Sequence, residues 1–141
     1  MMKKRLTSLA LSAMMVLSMV PATAFAAKDA GTPPTYNSAT GCYEISTPAQ
    51  LLYLAGKWKD GAPRDGHYVL TADIDMTGVK GFKPIASKKD QGFTGTFDGQ
   101  FHSIKGLRVE YEKKYAGLFG YVGNQDDQAY IKNVALLDCY V

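Results

Sequence analysis

The residues of this chain best suited to chemistry are two aspartates, two histidines and two cysteines. Asp73 and Asp75 stand two positions apart, and in an extended strand such residues share a face about 6.6 Å apart. Two carboxylates so placed are the beginning of a calcium site or of the acid pair of a glycan-cleaving enzyme. No further acid at ligand spacing and no catalytic Lys or Arg accompanies them. The plainer reading is that they keep the outer face of a strand soluble and help to end it before Gly78. His67 and His102 are the only histidines. Each lies beside aromatic residues, and the His-Glu-x-x-His pattern of zinc peptidases is missing. Neither Cys42 nor Cys139 has a histidine near it in sequence, so a thiol nucleophile has no visible base. Asp98, Asp126 and Asp127 read as turn residues. The expectation is a protein that is not an enzyme, with no catalytic residue, cofactor or metal.

The elements that would position these residues are short and mostly extended. Tyr68, Leu70, Ala72, Ile74 and Met76 alternate with Val69, Thr71, Asp73 and Asp75, the period-two pattern of a half-buried strand. Phe93, Gly95 and Phe97 repeat it, ending at Gly99. Cys42 to Ile45 is a further strand candidate. One helix is expected from Pro48 to about Lys59: Thr47 as N-cap, Pro48 in the first turn and Gln50 completing a capping box. Its apolar stripe is Leu51, Leu54, Ala55 and Trp58, which makes Trp58 a core residue rather than a ligand-stacking one. Lys57 and Lys59 suit the negative end of the dipole, and Gly61 with Pro63 ends the helix.

The opening residues read as an export signal. Met1 to Arg5 is basic, Leu6 to Val20 carries no charge, and Ala24-Phe25-Ala26 has the small residues signal peptidase requires. The predicted cut follows Ala26. The apolar run is about 15 residues, short of the ~20 that span a bilayer. Cleavage removes Lys3, Lys4 and Arg5 from the 16 basic residues, leaving a formally neutral chain against 13 acidic ones. Nucleic acid is therefore not an expected partner. Lys88-Lys89 and Lys113-Lys114 read as solvated turns. Residues 27–40, rich in Gly, Pro, Thr and Ser, are expected to be a flexible linker. Outside the cell a Cys42–Cys139 disulfide is chemically permitted, and the sequence leaves both the bridge and the free thiols open.

An internal repeat is the most informative feature. Ile104-Lys105-Gly106-Leu107-Arg108-Val109 returns 27 residues later as Ile131-Lys132-Asn133-Val134-Ala135-Leu136. Apolar residues recur at relative positions 1, 4 and 6. A plain strand would put positions 1 and 4 on opposite faces, so a corner must intervene. Gly106 and Asn133 are residue types that tolerate a positive φ there. Such a unit cannot close a core alone and must stack on its neighbours.

Gly117-Leu118-Phe119-Gly120 resembles the GLUG motif, Gly-Leu-hydrophobic-Gly, of secreted bacterial proteins. Ile45 to Leu51, Tyr68 to Asp75 and Phe93 to Gly99 are similar to the surroundings of that motif, although Gln100-Phe101-His102 departs from the usual Asn-Gly-His. The resemblance covers roughly Gly41 to Val141. It implies a mainly β chain folded as a right-handed parallel β-helix, a solenoid with an N-terminal capping α-helix. Such modules occur in exported or wall-attached proteins of Gram-positive and related bacteria, often adhesin-like, and upstream of immunoglobulin A protease-type metallopeptidases. The expected organisation is a signal peptide at 1–26, a linker at 27–40 and a GLUG-type module at 41–141, incomplete at its C-terminal end because no cap comes after Leu136 to Val141. The expected product is a secreted or cell-surface, non-catalytic module, adhesin-like or structural. Its expected partners are a host or cell-wall glycan or protein, or a second copy through the final rung. No membrane span is expected after cleavage. The alternative is an accessory region of a larger secreted protease or polysaccharide-active enzyme.

Overall fold

The computed structural model describes residues 31–56, 58 and 61–141. The predicted signal peptide and the first part of the linker lie outside the described residues, as do Lys57 and Lys59. The chain is mainly β, with a large sheet in the order β1-β2-β3-β5-β7 and a small one in the order β4-β6-β8. Their strands are β1 (Thr35–Asn37), β2 (Cys42–Ile45), β3 (His67–Leu70), β4 (Ile74–Asp75), β5 (Thr96–Asp98), β6 (Ser103–Lys105), β7 (Tyr130–Lys132) and β8 (Ala135–Leu137). After the β1–β2 hairpin every ladder is parallel, and a large-sheet strand followed by a small-sheet strand recurs three times as β3–β4, β5–β6 and β7–β8.

Register aligns apolar residues into columns. Tyr43 pairs with Tyr68, Tyr68 with Phe97 and Phe97 with Ile131 in the large sheet. In the small sheet Ile74 pairs with Ile104 and Ile104 with Leu136. Outside the named strands, parallel bridges join Phe82 to Val109, Ile85 to Phe119 and Phe93 to Val122. Residues from both sheets and from these bridges share one core. Within it Trp58 stacks between Tyr68 and Phe93 at centroid distances of 6.5 and 5.9 Å. Its indole N–H donates to the Gln91 carbonyl at 2.8 Å, so its polar edge is satisfied where the ring is packed.

The sequence-based boundaries need four corrections. First, the helix α1 runs only from Pro48 to Tyr53. Its start is as expected: Thr47 Oγ1 accepts from the Gln50 N–H, and Gln50 Oε1 reaches back to the Ser46 N–H at 2.8 Å. Its end comes early because the Leu54 and Ala55 N–H groups close onto Leu51 and Leu52 and Gly56 then turns at φ 85. Gly56 bonds instead to the Pro84 carbonyl and the Ser87 N–H. Leu51 and Leu54 are buried as the stripe requires, while Trp58 reaches the core from non-helical backbone. Second, the single strand expected over Tyr68 to Met76 is two strands in different sheets. Burial still alternates through the corner at Thr71–Asp73, which is why the pattern looks continuous in sequence.

Third, residues 35–37 of the expected linker form β1. The hairpin closes locally, with the Asn37 amide donating to Glu44 Oε1 at 2.7 Å and the Tyr36 ring 4.9 Å from Tyr43. A strand that leans on a neighbour needs little apolar content of its own, and composition misses that. Fourth, the two copies of the sequence repeat are not stacked on each other. Ile104 faces Leu136, and Ile131 faces Phe97. The real repeat sets Ser103–Lys105 beside Ala135–Leu137, followed by corners at Gly106 (φ 66) and Asp138 (φ 50). Asn133 does take φ 55, but at the corner between the two sheets. In the β5–β6 and β7–β8 pairs a left-handed corner falls both between the two strands, at Gln100 and Phe101 or at Asn133, and after them, at Gly106 or Asp138, so one six-residue pattern serves either place.

Candidate functional site

The GLUG-like residues lie where the core meets an open cleft. Leu118 is buried, and its carbonyl accepts from the Ile85 N–H at 2.8 Å. Phe119 pairs with Ile85 and sets its ring 5.2 Å from Phe93 and 5.4 Å, edge-on, from Phe97. Gly120 donates to the Ile85 carbonyl at 2.8 Å. A Cβ on Gly120 would sit 2.9 Å from the Ala86 carbonyl oxygen, so the neighbouring backbone can approach only where no side chain stands. Gly117 is under less constraint: a Cβ there would meet only the Phe119 carbonyl, at 3.3 Å. The motif therefore points two apolar side chains inward and, one residue later, delivers Tyr121 to the cleft.

The cleft has a volume of about 690 Å3. One wall comes from the segment around Ile85 and carries Lys83, Ser87 and Lys88. The other comes from the loop before the motif and carries Lys113, Lys114 and Tyr115, with Tyr111 and Tyr121 behind. The Tyr111 hydroxyl donates to the Ser87 carbonyl at 3.2 Å and ties the walls together. The Tyr115 and Tyr121 rings lie 5.1 Å apart and tilted. Two non-glycine residues at the cleft hold left-handed backbone, Ala86 at φ 57 and Tyr115 at φ 65. For a bulky residue such as Tyr that conformation is uncommon and must be held by its surroundings. A smaller cleft of about 350 Å3 gathers Lys80, Lys105 and Arg108, but Asp138 shares its lining.

The residues with chemical potential are placed differently from the cleft. Asp73 lies in the corner after β3 and Asp75 in β4, so the two do not share one strand face. Asp73 Oδ1 accepts from the Ser103 N–H at 2.8 Å and stands 3.4 Å from His102 Nδ1. The Ser103 backbone, and then His102, hold its carboxyl below the usual carboxylate range. Asp75 accepts from Thr77, which lowers it likewise. Asp98 accepts from the Gln100 N–H and the Asn133 amide, with Lys132 at 3.4 Å. All three carboxylates thus cap corners by accepting backbone or amide N–H groups. His67 is exposed at the start of β3. Burial pushes the Tyr68 phenol upward, and its hydroxyl donates to the Pro63 carbonyl at 2.7 Å. Cys42 and Cys139 are both free thiols. Among the described residues no group of three His, Cys, Asp or Glu could hold a metal ion. No helix of the described residues is long and apolar enough to cross a membrane.

Sequence reasoning missed the cleft. Lys113-Lys114 is visible as a pair, yet its partners Lys83 and Lys88 are some thirty residues away and are brought across by the parallel Ile85–Phe119 bridge.

No family model matches the chain, and no solved structure matches it. Among curated proteins it is similar to halomucin of Haloquadratum walsbyi, 32% identical over 116 aligned positions that cover 72% of this chain. The chain spans about 1% of that protein's length.

Proposed function

We propose that the chain is an exported, non-catalytic surface module of the GLUG-motif kind, folded as a right-handed parallel β-helix and adhesin-like or structural in role. The observation that carries this reading is the triple recurrence of a large-sheet strand, a corner and a small-sheet strand, each pairing in parallel with the next. Chains of that kind build stacked rungs whose outer faces and loops are free to bind. The similarity to halomucin, a far longer protein, supports a surface module set within a larger architecture. Corner-capping roles for Asp73, Asp75 and Asp98 support a non-catalytic reading, because their lone pairs already serve the fold.

Within this reading the final rung supports self-association. Ile131 and Leu136 continue apolar columns that are buried one strand earlier at Phe97 and Ile104, and here they meet solvent. A second copy is the occupant that matches the same columns. The second reading, an accessory region of a larger protease or polysaccharide-active enzyme, shares this architecture and differs only in requiring a catalytic domain in the same polypeptide.

The test is location and processing. Antibody labelling of intact producing cells, with N-terminal sequencing of the released or surface-bound chain, should find it outside and beginning at Ala27. A chain retained in the cytoplasm with Met1 to Ala26 still attached would sink the proposal.

A further inference from the structure

We infer that the cleft beside the motif binds an acidic polysaccharide, its lysines taking the anionic groups and Tyr115 and Tyr121 taking the sugar faces. The inference rests on the exported, non-catalytic reading above and names the ligand class of that module. Lys83, Lys88, Lys113 and Lys114 converge on one cavity whose lining includes no carboxylate. Glu112 sits in the same loop but does not line the cavity. Among the described residues none of the four lysines is in an ion pair; the ion pairs present use Lys132, Arg108 and His102. Like charges held together without compensation repel, and a bound anion relieves that repulsion.

The aromatic component narrows the class. Tyr115 is 60% exposed, its backbone is held left-handed, and its ring lies against Tyr121 at the cleft. An exposed aromatic held in a strained conformation is organised to present its face. Pyranose rings offer apolar C–H faces that stack on such rings, while their carboxylates or sulfates reach lysine ammonium groups. The volume, about 690 Å3, is that of a small-ligand site and accommodates a few sugar units. Single-stranded nucleic acid would use the same residue types, but it needs a basic groove that tracks the backbone for several nucleotides. Here four lysines are gathered at one cavity with no carboxylate in its lining, on an exported chain that is formally neutral as a whole.

The experiment is titration calorimetry of the whole exported chain against four polymers: polygalacturonate, heparin, dextran and single-stranded poly(dT). Polygalacturonate or heparin should bind, with affinity falling as salt is raised, and uncharged dextran should not. The stronger of the first two identifies carboxylate or sulfate as the preferred anion. Changing Lys113→Gln and Lys114→Gln together should weaken binding about tenfold or more, since two exposed cations lose their partners. Tyr115→Ala should weaken it by a smaller factor, with the circular dichroism spectrum unchanged. The Lys pair is exposed, so its variant keeps the fold even where the tyrosine variant does not. Absence of binding to both acidic polymers, tighter binding to poly(dT), or an unaffected double-lysine variant would each overturn the inference. Polymer length is measured in the same samples: shortening of a bound polysaccharide would instead refute the non-catalytic reading, while leaving the binding site in place.

Discussion

The two ends of the stacked strands are built from the same columns and finish in opposite ways. At the amino end, β1 lies antiparallel on β2 as a short edge strand, and α1 buries Leu51 against the same core. At the carboxyl end, β7 and β8 carry Ile131 and Leu136 in register with Phe97 and Ile104, yet the first pair is 39% and 47% exposed while the second pair is fully buried. Burial is therefore set by whether a further layer lies over a residue, not by its own hydrophobicity. The β1–β2 hairpin shows one device that ends such a sheet: a local turn adds a short antiparallel strand, which becomes the edge.

Substitutions can break or sharpen this contrast. The largest effect is expected for Leu118→Asp. Leu118 belongs to the carboxyl half of the sequence but is buried within the core, so an unpaired charge there should unfold the chain, a loss of more than about 4 kcal/mol. Loss of the cooperative thermal transition would show it. A folded variant that had only lost ligand binding would mean the motif is a recognition surface instead. Next, Phe97→Ala should cost about 3–5 kcal/mol by urea denaturation, whereas Ile131→Ala, its direct neighbour in the ladder, should cost about 1 kcal/mol or less. Equal costs would mean that the last layer is covered in solution.

Smaller in stability, but visible in mass, is the effect of Ile131→Lys with Leu136→Lys. Light scattering of the unaltered chain should show mass rising with concentration, and the double variant should remain monomeric. An unaltered chain that stays monomeric across the range would refute association through this edge. Smallest is the pH effect at Asp98, which accepts from Gln100 within its own corner and whose contacts with Asn133 and Lys132 tie the last strands to the ones before. Its carboxyl is held below the ordinary value, so its contribution is present above about pH 4 and is lost as pH falls through the folded-state value. In Asp98→Asn the urea midpoint should consequently vary less over that acidic range than in the unaltered chain.

Local chemistry is the part of this molecule most legible in sequence. The Thr47 cap, the alternation from Tyr68 to Met76 and the left-handed corners at Gly106 and Asn133 depend on neighbours a few positions away, and each is present. The features that sequence reasoning missed depend on partners far along the chain. The helix stops short because Gly56 bonds to Pro84 and Ser87. The repeat takes a different register because left-handed corners stand in two places in both the β5–β6 and the β7–β8 pair. The Asp73–His102 contact joins residues that look unrelated in sequence, since only the small-sheet pairing of β4 with β6 sets them side by side. The basic cleft is hidden for the same reason, each of its walls reading alone as an ordinary solvated loop.

The hairpin between β1 and β2 also gives the chain a sense of time. Among the described residues it is the one strand pairing made by residues close in sequence; each later strand must wait for a partner some 25 to 34 positions away. Loop closure over such distances is slow unless one side is already fixed. A polypeptide delivered amino end first can lay down the hairpin, add β3 against β2, and grow by templating each new strand on the last. Deleting residues 31–40 should therefore slow refolding more than it lowers final stability, a difference that stopped-flow fluorescence of Trp58 would register as a lag before its stacking partners, Tyr68 and Phe93, come together.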